Sequence, residues 1–544
     1  MIGADAVVKC LEKEGVTTLF GYPGVAICPF FNSILNTKIE SILVRSEQNA
    51  AHAASGYARV TGKAGVCVAT SGPGATNLIT GIATAYADSI PLICITGQVD
   101  SKLLGSDVFQ EADITGAAES FVKYSYLVKD AADIPRVMKE AFHIAQTGRK
   151  GPVLIDIPID VQNKTIPSFR YPESVNMRTY KPTVKGHAVQ IKKVGKELER
   201  AHKPLILAGG GVILSGTGSQ LCDFSHKYKI PVVSTMMGIG AMSSSDGLYY
   251  GMIGNNGKSS ANKAMQESDL LIVIGARIAD RAVSSPDLVA KDTVLIHIDV
   301  DPAEIGKNVG PTIPIVGDIK HIFADLAKES ITCDFSAWCK TLDGYKNAEK
   351  ARKKPRKGYV DPAVFVRTLS EAMDDRAVYV ADVGQNQMWS CMYYVAKSGK
   401  FLTSGGMGTM GYSIPAAIGA KKADKKLQVV AVCGDGSFQM SMNELATMAE
   451  NGIDVKVIVF NNGYLGLVRE YQHNTYNKNY SMVSLGRYPD ISKIAEAYDM
   501  PYLRLSDNEG MEDAIGSFLK IKGRAIMEVM LDPMDTVKDV RITK

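Results

Sequence analysis

CGDGSFQMSMNELATMAENGIDVKVIVFNNGYLG, residues 433–466, sets an acid after one apolar run and paired asparagines after another. The run LQVVAVCGDG breaks into a glycine turn, MSMNELATMAEN has helical spacing, and DVKVIVFNN repeats the apolar run. Strand, turn, helix, strand is a βαβ unit, so both strands end at one edge of a parallel sheet. Ligands of such sheets bind at that carboxyl edge. Asp435 and Asn462 are therefore predicted to converge, presenting a carboxylate and an amide oxygen. Hard oxygen donors of this kind suit Mg2+, which completes its shell with water and phosphate oxygens. Gly-Asp-Gly and Asn-Asn-Gly are also ordinary turn sequences. Their pairing at βαβ spacing is what favours a metal.

The same grammar runs outward through the chain. At 544 residues it is too long for one core. A first block, residues 1–163, alternates helical patterns with the apolar runs TTLFGYPG, SILVRSE, AGVCVATSGPG, PLICITG and GPVLIDIP. A second, 187–335, has PLILAGGG, IPVVSTM, DLLIVIGAR and TVLIHIDVD; a third, 360–531, has AVYVADVG, LQVVAVCGDG, DVKVIVFNN and RAIMEVML. The Pro-containing stretch 164–186 and the charged segment 343–358 read as linkers. Alternating β and α in all three blocks predicts an α/β chain of three doubly wound parallel-sheet domains. The first and third are candidates for a structural repeat.

Composition excludes several functions. Hydrophobic content of 46%, charged content of 22% and a net charge of +4 describe an ordinary globular chain. Charge so small and scattered gives no electrostatic case for nucleic acid or a membrane surface. The nine cysteines form no CxxC pair. Several sit in apolar runs, as free thiols do in a reducing compartment. The start, MIGADAVVKCLEKEGV, reads as an amphipathic helix and not a signal peptide, and no apolar run reaches membrane length. A cytoplasmic protein is expected.

In the first block, RSEQNAAHAASGYAR puts Glu47 at the front of a helix of small residues. Close approach of a neighbour would bury it, and a buried carboxyl is suited to sharing a proton. A glutamate favoured by the helix dipole is the plainer reading. SGPGATN (71–77) is a glycine turn opening a helix, and the loop 97–113 carries Phe109 and Gln110 toward the same edge.

With GYPG (21–24), SGPGATNLITGIATAYADSIPLICITGQV (71–99), FQEAD (109–113), GGMGTMGYSIPAAIGA (405–420) and GDGS…NN, the chain resembles the thiamine diphosphate-dependent enzymes. Within them it is most similar to the acetolactate synthase family. The resemblance runs from the first residue to about 530, with the motifs in the family's order in all three blocks.

That resemblance implies a thiamine diphosphate-dependent carboligase. It would decarboxylate pyruvate and join the two-carbon unit to pyruvate or 2-ketobutyrate, in branched-chain amino-acid biosynthesis. Asp435, Asn462 and the Tyr464 carbonyl would hold Mg2+. Gln385, Asn386, Gly408, Gly436, Ser437, Leu465 and Gly466 would line the diphosphate site, with Met410 wedging the coenzyme into a bent shape. Glu47, from a second subunit, would hydrogen-bond the aminopyrimidine ring, placing the active sites at a homodimer or homotetramer interface. Gly24, Phe109 and Gln110 would face the reacting centre, and Arg281 the second substrate's carboxylate. FAD would lie on the middle block against Gly209, Gly210, Gly211, Thr235, Gly275, Arg277, Asp299, Asp318 and Arg149. A small regulatory subunit is the implied protein partner.

Departures from the family pattern cluster around the site. Tyr471 stands where tryptophan is usual, Ile159 where lysine is common, and Asn386 where a histidine contacts the diphosphate. Acceptor choice is the property these touch. A diverged 2-keto acid decarboxylase or carboligase with another acceptor is therefore the alternative, and a non-catalytic paralogue a further one. A nicotinamide-dependent dehydrogenase would need a GxGxxG followed by an acidic residue, which is not convincingly present.

Overall fold

Each long apolar run is a strand, and several of them end at or just before a glycine, as at Gly21, Gly209, Gly275 and Gly434. The computed structural model describes residues 1–280, 282, 289, 292–310, 312–349 and 355–537. They form three six-stranded, all-parallel sheets.

The first contains β1 (Thr18–Gly21), β2 (Glu40–Leu43), β3 (Gly65–Ala69), β4 (Leu92–Gln98), β5 (Tyr124–Leu127) and β6 (Pro152–Pro158), in the order β2-β1-β3-β4-β6-β5. The second contains β7 (Pro204–Ala208), β8 (Val232–Ser234), β9 (Tyr249–Met252), β10 (Leu270–Ile274), β11 (Val294–Asp299) and β12 (Ile313–Val316), ordered β12-β11-β10-β7-β8-β9. The third contains β13 (Val378–Ala381), β14 (Lys400–Leu402), β15 (Val429–Gly434), β16 (Lys456–Asn461), β17 (Tyr502–Leu505) and β18 (Ala525–Met530), ordered β14-β13-β15-β16-β18-β17. The first and third share one topology, so they are a repeat in three dimensions. The middle sheet instead reverses direction between β7 and β10, the order of a dinucleotide-binding fold.

The first and third domains meet through two helices of small residues, Glu47–Thr61 and Ser413–Ala423. A Cβ added to Gly56 would collide with the Ala416 carbonyl, and one added to Gly419 with the Ala53 carbonyl. The backbones can approach this closely only because both positions are glycine. A single apolar core runs across the junction, from Phe20 and Leu78 on one side to Ile418 and Phe438 on the other.

The segment 164–186 is not a free linker: Phe169, Tyr171 and Tyr180 pack on the first domain's core, and the Tyr171 hydroxyl donates to Glu14 at 2.7 Å. All nine cysteines are free thiols. Among the described residues no helix is long and apolar enough to cross a membrane.

Candidate active site

β15 and β16 are neighbours in parallel register, Gly434 opposite Phe460, so the residues that follow them leave the sheet together. Asp435 opens the helix Asp435–Ser441 and Asn462 begins the loop after β16. Two further helices, Gln385–Tyr393 and Gly466–Thr475, start beside them. The three N-termini surround a cavity open to solvent and lined by Gln385, Asn386, Met410, Asp435, Gly436, Ser437, Asn462, Tyr464, Leu465 and Gly466, with Trp389 and Leu531. Converging N-termini aim unpaired N–H groups and positive dipole ends at one space, which is what an anion such as diphosphate needs.

Asp435 is oriented by backbone amides. Gly436 N–H donates to Oδ1 at 2.9 Å and Gly463 N–H to Oδ2 at 2.6 Å. Burial nevertheless pushes its carboxyl up to about 6. Asn462 Oδ1 accepts from Tyr464 N–H at 2.9 Å, and its Nδ2 donates to Gln385 Oε1 at 3.1 Å. A Cβ on Gly466 would lie 2.0 Å from Gln385 Oε1 and 2.7 Å from Asn462 Nδ2, so it would displace this hydrogen-bonded pair.

Met410 stands on a loop fixed by Asp382, a buried acid just after β13. Its Oδ1 accepts from Gly411 N–H at 2.9 Å and its Oδ2 from Ser413 N–H at 2.8 Å. Gly408, with φ of +69°, lies in this loop but is not among the lining residues.

A second cluster forms at the carboxyl edge of the first sheet. Gly24 follows β1, Glu47 opens the helix after β2, and Thr70 and Gly72 follow β3. Cβ atoms on Gly24 and Gly74 would lie 2.5 and 2.7 Å from Thr70 Cγ2, and the latter 3.3 Å from Glu47 Oε1. Glu47 Oε2 accepts from Asn77 Nδ2 at 3.0 Å. Gln110 has φ of +60° and packs on Gly72, while Phe109 is 87% exposed. Glu47 is half-buried, less enclosed than its small-residue helix suggested. The alanines of that helix and Asn49 in its first turn meet the third domain, while Glu47 and Gln48 stay half-buried. Among the described residues, only third-domain residues line the cavity. The Glu47 cluster and this cavity are thus two separate groupings on the chain.

Three domain profiles of the thiamine pyrophosphate enzymes match: the N-terminal TPP binding domain at residues 1–117, the central domain at 191–326 and the C-terminal TPP binding domain at 382–529. The "Probable acetolactate synthase large subunit" of Methanocaldococcus jannaschii is 42% identical, over 99% of this chain and 93% of its own length. The acetolactate synthase large subunits of Haemophilus influenzae and Lactococcus lactis are 41% and 43% identical, over 99% and 94% of this chain and 96% and 89% of theirs. The chain belongs to the acetolactate synthase family of thiamine pyrophosphate enzymes.

For this family the cavity is the coenzyme site to test. Two of its lining residues, Asn386 and Trp389, each hold a buried polar atom (Oδ1 and Nε1) with no partner among the described residues. Such atoms await a ligand or water. Among the described residues no group of three His, Cys, Asp or Glu side chains could hold a metal. A cation here would rest on one carboxylate, one amide oxygen, a carbonyl and phosphate oxygens, a donor set that fits Mg2+.

In the middle domain, Gly209 and Gly211 follow β7 and Gly275 follows β10, at the point where strand order reverses. Gly211 N–H donates to the Gly275 carbonyl at 3.0 Å, and a Cβ on Gly211 would lie 2.7 Å from Gly275 Cα. Gly210 abuts Met237, and Thr235 N–H donates to the Ala208 carbonyl at 3.0 Å. Asp299 is buried, its carboxyl pushed up to about 6 by desolvation, and Asp318 caps the helix Ile319–Leu326. Arg149 pairs with Glu304 at 2.8 Å and Asp301 at 3.2 Å, and Arg277 donates to the Ala87 carbonyl, so both tie this domain to the first. Arg281 lies outside the described residues.

Sequence reasoning missed Asp382, Gln98 and Asp156. A signal existed: each is a polar residue closing or breaking a buried apolar strand run, in YVAD, ITGQ and LIDIP. It also missed Glu444, which opens the helix Glu444–Glu450 and whose partners Arg45 and Asn49 lie across the domain junction.

Proposed function

We propose that this chain is the catalytic large subunit of an acetolactate synthase. It takes pyruvate and a second 2-keto acid, pyruvate or 2-ketobutyrate, and serves branched-chain amino-acid biosynthesis in the cytoplasm. The observation that carries the reading is the cavity where Asp435 and Asn462 meet three helix N-termini, in a chain similar to large subunits over nearly its whole length.

Thiamine diphosphate, when bound, supplies the electron sink that decarboxylation of a 2-keto acid requires. Asp435, Asn462 and the Tyr464 carbonyl would hold Mg2+ and the diphosphate, and the amides at Gln385 and Gly466 would offset the diphosphate charge. Met410 fills the wall opposite Gly436 and excludes water. Glu47 would hydrogen-bond the ring of a coenzyme bound to a partner subunit, and Gly24 would leave room for the keto acid beside Gln110. Two such separate groupings on one chain favour a homodimer as the smallest active form. FAD would lie at the switch point of the middle sheet, where the turns at Gly209, Gly211 and Gly275 pack backbone against backbone and dinucleotides bind in such folds. A small regulatory subunit follows from the relatives' description as large subunits.

A second reading, a 2-keto acid decarboxylase or carboligase with another acceptor, draws on Tyr471, 59% exposed on the helix that opens at Gly466. One assay separates them: purified protein with pyruvate, Mg2+ and thiamine diphosphate, with and without FAD, scored for acetolactate. Acetolactate dependent on both cofactors upholds the first reading. Carbon dioxide or aldehyde without acetolactate replaces it with the second.

A further inference from the structure

The loop that carries Phe109 and Gln110 is tied at both stems to one side chain. Gln98, the last residue of β4, is 2% exposed. Its Oε1 accepts from Val99 N–H at 2.9 Å, where the loop leaves, and its Nε2 donates to the Ala112 carbonyl at 2.8 Å, where it returns. The same Nε2 donates to Asp156 Oδ2 at 2.9 Å. Asp156, on the adjacent strand β6 and 1% exposed, uses its other oxygen to accept from Thr96 Oγ1 at 2.7 Å. The Ala112 carbonyl can only accept, which allows Gln98 a single amide orientation, because a flipped amide would set oxygen against oxygen. Gln110, within the loop, holds φ of +60° with its Cα against Gly72. A side chain in that unfavourable region stays put only when its surroundings fix it.

We propose that Asp156 and Gln98 are positioning residues, a buried clamp that holds the 99–112 loop so that Gln110 meets the reacting keto acid. The proposal rests on the reading of the site given above. Neither residue lines the coenzyme cavity; what they hold is the loop that carries Gln110.

The test is a double-mutant cycle on the holoenzyme with Asp156→Asn and Gln110→Ala. The asparagine offers one acceptor oxygen where the carboxylate offers two, so Gln98 Nε2 and Thr96 Oγ1 cannot both keep theirs. We expect kcat to fall roughly tenfold with coenzyme affinity unchanged, and faster hydrogen exchange confined to residues 99–112. In the Gln110→Ala background Asp156→Asn should cost nothing further. Losses that multiply instead would overturn the clamp alone. Wild-type kcat in Gln110→Ala would overturn the clamp together with the site reading. Gln98→Met, which adds no buried charge, enters the same cycle if Asp156→Asn does not fold, and the same outcomes decide.

Discussion

Glu444 and Asn49 form a buried hydrogen bond of 2.9 Å across the junction of the third and first domains. The same carboxylate oxygen accepts from Arg45 N–H at 2.8 Å, and the other from Thr447 Oγ1 at 2.6 Å. Arg45 and Asn49 bracket Glu47, so an acid of the third domain sets where Glu47 stands. Glu444→Ala would leave the Asn49 amide and the Arg45 N–H buried without a partner. A loss of about 2–4 kcal/mol of stability is expected from chemical denaturation, with kcat falling further than Glu444→Gln, which keeps one acceptor. Equal kcat in both variants would show that Glu444 does not position Glu47.

Glu47→Gln keeps the bond from Asn77 but cannot hold and return a proton. Turnover should drop by at least about a hundredfold, while thiamine diphosphate and Mg2+ still bind by calorimetry. Near wild-type rates would remove Glu47 from the chemistry.

The Asp435 carboxyl, raised by burial to about 6 from an ordinary 3.8, gives two opposite pH dependences. Mg2+ takes only the ionised form, so metal-dependent coenzyme affinity should be flat above about pH 7 and fall about tenfold per unit below pH 6. In the coenzyme-free protein a raised pKa works the other way. Its contribution to stability is complete below about pH 4 and is lost as pH rises through about 6. Asp435→Asn should flatten both curves, read by calorimetry and thermal melts, and should abolish metal-dependent binding.

Gly419→Ala would drive a methyl group into the Ala53 carbonyl. Overpacking of 1–3 kcal/mol is usual when side chains can yield; here the obstacle is backbone, so at least about 3 kcal/mol is expected. A variant as stable as the parent by denaturant titration would mean that the helices can slide apart without cost.

What the sequence disclosed follows from burial. The strands it missed, β5, β9, β12, β14 and β17, are all edge strands. An edge strand covered on one side only has no need of a continuous apolar run: β5 is YSYL and partly exposed throughout. The Asp435–Asn462 pair was legible because βαβ chirality alone brings two strand ends together. Glu444, Asp382 and the Gln98–Asp156 clamp were not, since each meets partners brought together only by the folded sheets. Glu47 was placed at the right helix start, but its exposure depends on which face of that helix the third domain covers.

The separation of the Glu47 cluster from the Asp435 cavity has a statistical consequence. If each site takes its acid from one chain and its metal ligands from another, Glu47→Gln and Asp435→Ala protomers can repair each other. In an equal mixture, half the dimers are mixed and each has one intact site and one doubly defective site. About a quarter of the parental activity should return when two inactive preparations are unfolded and refolded together. A site contained within one chain would return none.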